Sequence, residues 1–159
     1  MWEKQGAMYT KEESKQLHLD FWTGFEAYSK SLEGLKANGG RWIYYYTGIK
    51  NVALKFDVER HLIRVALELN HRDENRRFEL YTKLEKYKAI FEESFGAPLI
   101  WDYVFTRTAG NEVCRVYTEQ AGFDLHRRQE WPQMFDYMAR NMLQMEKAFL
   151  MVKEVLKND

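Results

Sequence analysis

Residues 52–69 constrain the fold more than any other stretch, because they alternate apolar and polar residues twice over. Val52, Leu54, Phe56 and Val58 interleave with Ala53, Lys55, Asp57 and Glu59. Ile63, Val65, Leu67 and Leu69 interleave with Leu62, Arg64, Ala66 and Glu68. A period of two places each set on one face of an extended strand. The join at Arg60-His61 is short, so the two strands form a hairpin. Keeping the apolar faces together pairs Phe56 with Val65 and sets Asp57 opposite Arg64, a favourable cross-strand charge pair.

The flanking sequence changes period. Thr10-Lys11-Glu12-Glu13 matches a capping box, and Leu17, Phe21, Phe25, Tyr28, Leu32 and Leu35 follow at helical spacing until Asn38-Gly39-Gly40. Asp73 caps a second helix with Phe78, Tyr81, Leu84, Tyr87 or Lys88, Phe91 and Phe95 along its stripe, ended by Gly96-Ala97-Pro98. Trp131-Pro132 opens a third, in which Met134, Met138, Met142, Met145, Phe149, Val152 and Leu156 step by three and four. Three further strands are expected: residues 41–47, ended by a Thr47-Gly48 turn, and residues 99–107 and 112–118, joined at Ala109-Gly110-Asn111. The fold class is therefore α+β, in the order α-βββ-α-ββ-α. A mostly antiparallel five-stranded sheet with helices packed on one face would bury all three stripes. The expected organisation is a loose lead-in over residues 1–9 and a single domain over 10–159.

Composition narrows the function classes. Lys plus Arg equals Asp plus Glu, at 24 each, which argues against a dedicated nucleic-acid or membrane-surface protein without excluding a local patch. The single cysteine, Cys114, forms no internal disulfide and suits a reducing compartment. No apolar run approaches a membrane span, and the first residues carry no signal-peptide core, so cytoplasmic placement without membrane contact is expected.

The element order resembles the PD-(D/E)XK nuclease core, which needs an acid on its second strand and a D/E-x-K on its third. Glu68-Leu69-Asn70 occupies the third-strand position, so Asn70 stands where the lysine would. The residue facing Glu68 falls among residues 51–53, where no acid is present, and Asp57 lies roughly 14 Å or more away along the strand. Neither requirement is met. No two of His18, His61, His71 and His126 share a zinc-like spacing with each other or with Cys114. Glu68, His71 and Asp73 could gather at a strand end, but helix capping by Asp73 explains the pattern more simply. Cys114 reads as a small buried hydrophobe, since no neighbouring His supplies a base. No catalytic, cofactor-binding or metal-ligating residue is assigned, and no cofactor is expected.

Three features remain. Arg76 and Arg77, with Arg127 and Arg128, are candidate nucleic-acid contacts; the plainer reading is solvated charge interleaved with acids. The ring-rich strand at 41–47 is apolar on both faces, so Ile43 and Tyr45 form a candidate interface that a chain segment or a second copy must cover. The polar sheet face mixes Lys55, Asp57, Arg64, Glu68, Asp102 and Arg115, as a solvated face does, and a concave version would be a ligand site.

Phe21-Trp22, Trp42-Ile43-Tyr44-Tyr45-Tyr46-Thr47-Gly48-Ile49-Lys50, Glu68-Leu69-Asn70-His71 and Phe95-Gly96-Ala97-Pro98-Leu99-Ile100-Trp101 resemble domain-of-unknown-function family 4268. The resemblance extends from about Tyr9 onward. It implies a bacterial chain with an accessory role near DNA processing, and it brings no catalytic residue to carry over. The sequence thus favours a non-catalytic interaction module forming a homo-oligomer. The alternative is a nucleic-acid-associated accessory protein or decayed nuclease, and a small-molecule enzyme using the charged face is a third reading.

Overall fold

The double alternation folds as a hairpin of β1 (Val52–Val58) and β2 (Leu62–Leu69) in the register its apolar faces demand. Phe56 pairs with Val65, Asp57 with Arg64 and Ala53 with Glu68. The computed structural model describes residues 9–32 and 47–157. The chain divides into two units, Met1–Arg41 and Trp42–Asp159.

In the first unit, α1 spans Lys11–Ser31 behind the expected capping box. The Glu13 N–H donates to Thr10 Oγ1 at 3.0 Å, and the Thr10 N–H donates to Glu13 Oε1 at 3.3 Å. Leu17, Phe21, Phe25 and Ser29 form its buried stripe. The helix ends at Ser31, short of the expected Asn38-Gly39-Gly40, and Leu35 lies outside the described residues.

The second unit builds a four-stranded antiparallel sheet in the order β1-β2-β4-β3, with β3 at Ile100–Thr106 and β4 at Glu112–Ala121. Five strands were expected. The described residues hold four, in the element order α-ββ-α-α-ββ-α. The candidate strand at 41–47 falls on positions outside the described residues except Thr47, which belongs to no strand. The Thr47 hydroxyl donates to Val52 O at 2.7 Å and accepts the Ile49 N–H at 3.1 Å, closing the Thr47-Gly48 turn onto the start of β1.

The single helix expected from Asp73 to Phe95 is instead two, α2 (Glu74–Glu85) and α3 (Lys88–Phe95). Asp73 caps α2 as expected, accepting the N–H groups of Asn75 and Arg76. The break falls in a polar run, Glu85-Lys86-Tyr87-Lys88, that offers nothing to bury. There the Tyr87 N–H bonds Leu84 O at 2.9 Å, a tighter i→i−3 turn that redirects the chain. Phe91 and Phe95 are thereby buried beyond the break. Gly96, at φ 99°, ends α3 in the left-handed conformation that favours glycine.

The last helix, α4 (Trp131–Lys157), carries the methionine stripe. All seven of its stripe residues, Met134 to Leu156, are 0–1% exposed. Full burial of such a side chain is worth about 1.5–3 kcal/mol, so this face anchors the core. The helices of this unit meet one sheet face. Tyr137 Oη contacts Thr118 Oγ1 at 3.5 Å, and the Tyr81 and Phe91 rings pack edge-on to Trp101. Thr118 pairs with Val65 and Trp101 with Val116, so all lie on the apolar side of the hairpin.

Candidate functional site on the charged sheet face

The opposite face carries Lys55 and Asp57 from β1, Arg64 and Glu68 from β2, and Arg115 and Glu119 from β4, brought together by strand register. Ordinary alternation along β3 would leave Phe105 and Arg107 on the helix side with Trp101 and Tyr103. A β-bulge between Asp102 and Phe105 prevents this. Asp102 pairs with Arg115 and Phe105 with Val113, so three steps on β3 match two on β4. Phe105 consequently lies on the charged face, and Arg107, just beyond the end of β3, reaches Glu68 there.

Glu68 is the centre of this face and is fully buried. Its Oε2 accepts from Arg115 Nε at 2.9 Å, its Oε1 lies 3.3 Å from Lys55 Nζ, and Arg107 closes onto both oxygens. Burial alone would raise the carboxyl pKa. The Arg107 hydrogen bond and the charges of Arg115 and Lys55 outweigh it and hold the group below its ordinary 4.5. Arg115 also reaches Asp57 at 3.0 Å, bridging the two carboxylates. Arg64 shows the inverse arrangement, one guanidinium among Asp57, Glu59 and Glu119 at 3.1, 2.7 and 3.1 Å. The Phe105 ring lies 4.1 Å from the Arg115 guanidinium carbon and 5.3 Å from that of Arg64, shielding both.

A groove of about 490 Å³ lies over the network, lined by Lys55, Asp57, Arg64, Phe105, Arg107 and Arg115 among others. The face is therefore concave, as a ligand site would require, yet its central charges are committed to one another. Where a nuclease would hold a metal between two acids, Arg115 occupies the space between Glu68 and Asp57, and Ala53 faces Glu68 across the hairpin.

The other candidates are dispersed. Ile43 and Tyr45 lie outside the described residues. Arg77 is buried, donating to His71 O at 2.9 Å and lying over the Phe78 ring, so only Arg76 of that pair is exposed. Arg127 is exposed beside Asp124 and Glu130, and Arg128 stacks over Trp131. The connection carrying Arg127 is tied to the start of β2 by the Leu125 N–H bond to Arg60 O, while Arg76 follows the end of β2. Eight strand residues separate those ends, roughly 25 Å, so the two basic clusters form no common patch. Cys114 is buried with its thiol directed at Tyr103 O, and desolvation pushes its pKa up to about 11, which makes it a poor nucleophile. His71 Nδ1 accepts the Asp73 N–H, so it braces the helix cap. Among the described residues, no three His, Cys, Asp or Glu side chains gather to hold a metal, and no helix is long and apolar enough to cross a membrane.

An antiparallel sheet with helices on one face and an ion-paired groove on the other defines a two-layer α+β domain. Residues 17–153 match the family described as Domain of unknown function (DUF4268), and the chain belongs to that family. No curated protein and no solved structure matches the chain.

Proposed function

We propose that this domain is a non-catalytic interaction module that self-associates as a homodimer. One observation carries the reading: β3 ends the sheet among the described residues and leaves Ile100, Tyr103 and Val104 exposed at 41, 56 and 40%. An edge strand, paired on one side only and bearing exposed apolar side chains, is a template for a second chain. The charged face supports the non-catalytic part, since Glu68 and Asp57 are held by arginines and neither is poised as a general base. By sequence alone, the segment at 41–47, with Ile43 and Tyr45, is a second candidate contact. The nucleic-acid reading has less support, because its arginines sit at opposite ends of β2 and Arg77 is buried.

Light scattering across a concentration series tests the proposal. A dimer is expected, weakened by Tyr103→Lys or Tyr45→Glu. A strict monomer at every concentration, unchanged by either substitution, refutes it. Salt-dependent nucleic-acid binding lost in Arg127→Glu/Arg128→Glu would favour the alternative.

A further inference from the structure

We propose that a second groove, distinct from the charged sheet face, binds the phosphate group of a small molecule. It has a volume of about 350 Å³ and is lined by Lys50, Asn51, His71, Arg76, Leu80 and Lys157 among others. Three cations line it and, among the described residues, no carboxylate does. This contrasts with the sheet-face network, where each cation has an acid within 3.3 Å. Lys50, Arg76 and Lys157 make no ion pair among the described residues, so their charge is available to a ligand.

Three separate segments deliver these side chains. The turn before β1 supplies Lys50, the first turn of α2 supplies Arg76, and the end of α4 supplies Lys157. The turn is held in place by Thr47 and by the Asn70 N–H bond to Asn51 O at 2.9 Å. His71 is oriented by the Asp73 N–H at its Nδ1, leaving Nε2 as its remaining polar atom. Buried Leu80 and Leu156 line the apolar part. Exposed cations from three segments, beside an apolar patch, suit a phosphate attached to a compact organic group, with the guanidinium and ammonium groups sharing the phosphate oxygens.

The site stands apart from self-association, since none of its residues belongs to β3. The full chain would be titrated with inorganic phosphate at constant ionic strength, followed by amide NMR, with chloride as the control. Saturable shifts at Lys50, Asn51, His71 and Arg76 are expected, with the dissociation constant raised about tenfold or more in Arg76→Gln. Lys50→Gln/Arg76→Gln should abolish saturation. Both residues are solvent-facing, so an unchanged melting temperature verifies the fold. Shifts that match chloride, persist in the double variant, or centre on Arg127 and Arg128 would overturn the proposal. So would acetate binding more tightly than phosphate. A short single-stranded oligonucleotide binding about a hundredfold more tightly than phosphate, and lost in the same double variant, would overturn the small-molecule assignment in favour of a polymer backbone.

Discussion

Glu68→Gln isolates the contribution of the buried network, because it keeps the side-chain shape and removes only the charge. In the native domain one fully buried carboxylate faces Arg115 at 2.9 Å, Lys55 at 3.3 Å and Arg107. A unit-charge pair at 2.9 Å is worth about 6 kcal/mol before desolvation, at an effective dielectric constant of about 20. Desolvation offsets most of this while the pair is intact. Once the carboxylate is neutral, Arg115 remains buried at 6% side-chain exposure with only Asp57 to balance it. The expected loss is therefore about 3–5 kcal/mol, the range for breaking a buried pair from one side. Lys55→Met removes a cation whose side chain is 38% exposed, and its cost should stay within about 1 kcal/mol. Urea unfolding at neutral pH reads both. With a slope of about 2 kcal/mol per molar, Glu68→Gln should lower the midpoint by about 1.5–2.5 M. A loss below about 1 kcal/mol for Glu68→Gln, or an equal loss for Lys55→Met, would refute the network as the organiser of this face.

The remaining predictions concern pH, the core and the caps. Glu68 has a depressed folded pKa, so its stabilisation is present above 4.5 and is lost as pH falls through the lower folded value; urea midpoints should drop over that acid window in the wild type and drop less in Glu68→Gln. Met142→Ala, at a site with no exposure, should cost about 2–5 kcal/mol by calorimetry or urea unfolding. Asp73→Ala removes the acceptor for two N–H groups at the start of α2 and should cost about 0.5–2 kcal/mol by the same assay. The Cys114 thiol, pushed up to about 11 and buried, should react with a thiol reagent at neutral pH only as fast as the domain opens, so its rate should rise in Met142→Ala.

The hairpin register, the Asp57–Arg64 pair, the α1 capping box, the Asp73 cap and the seven-residue stripe of α4 were all legible in the sequence. Each depends on local chemistry or on a period that one face must keep. The break between α2 and α3 was not legible, since no proline or glycine marks it and its cause is a shift in backbone bonding at Tyr87. The roles of Phe105 and Arg107 were hidden for a different reason. Strict alternation along β3 assigns both to the helix side, and only the one-residue bulge transfers them. The charged face therefore read as solvated, although its centre, Glu68, is sealed. The signal in the sequence was a carboxylate near the end of a strand, set between Val65-Ala66-Leu67 and Leu69, which requires cations from neighbouring strands if it is buried with them.

The network around Glu68 has a consequence for how the sheet assembles. Its partners come from β1, β4 and the chain beyond β3, so it forms only when all the strands are in one alignment. A slip of β2 by one residue would turn Glu68 and Arg64 toward the methionine face of α4, away from the cations and acids that pair them in the native register. Misaligned collapsed states are thereby penalised by several kcal/mol per stranded charge. The arginines thereby single out the native register as the one in which the Glu68 carboxylate is paired.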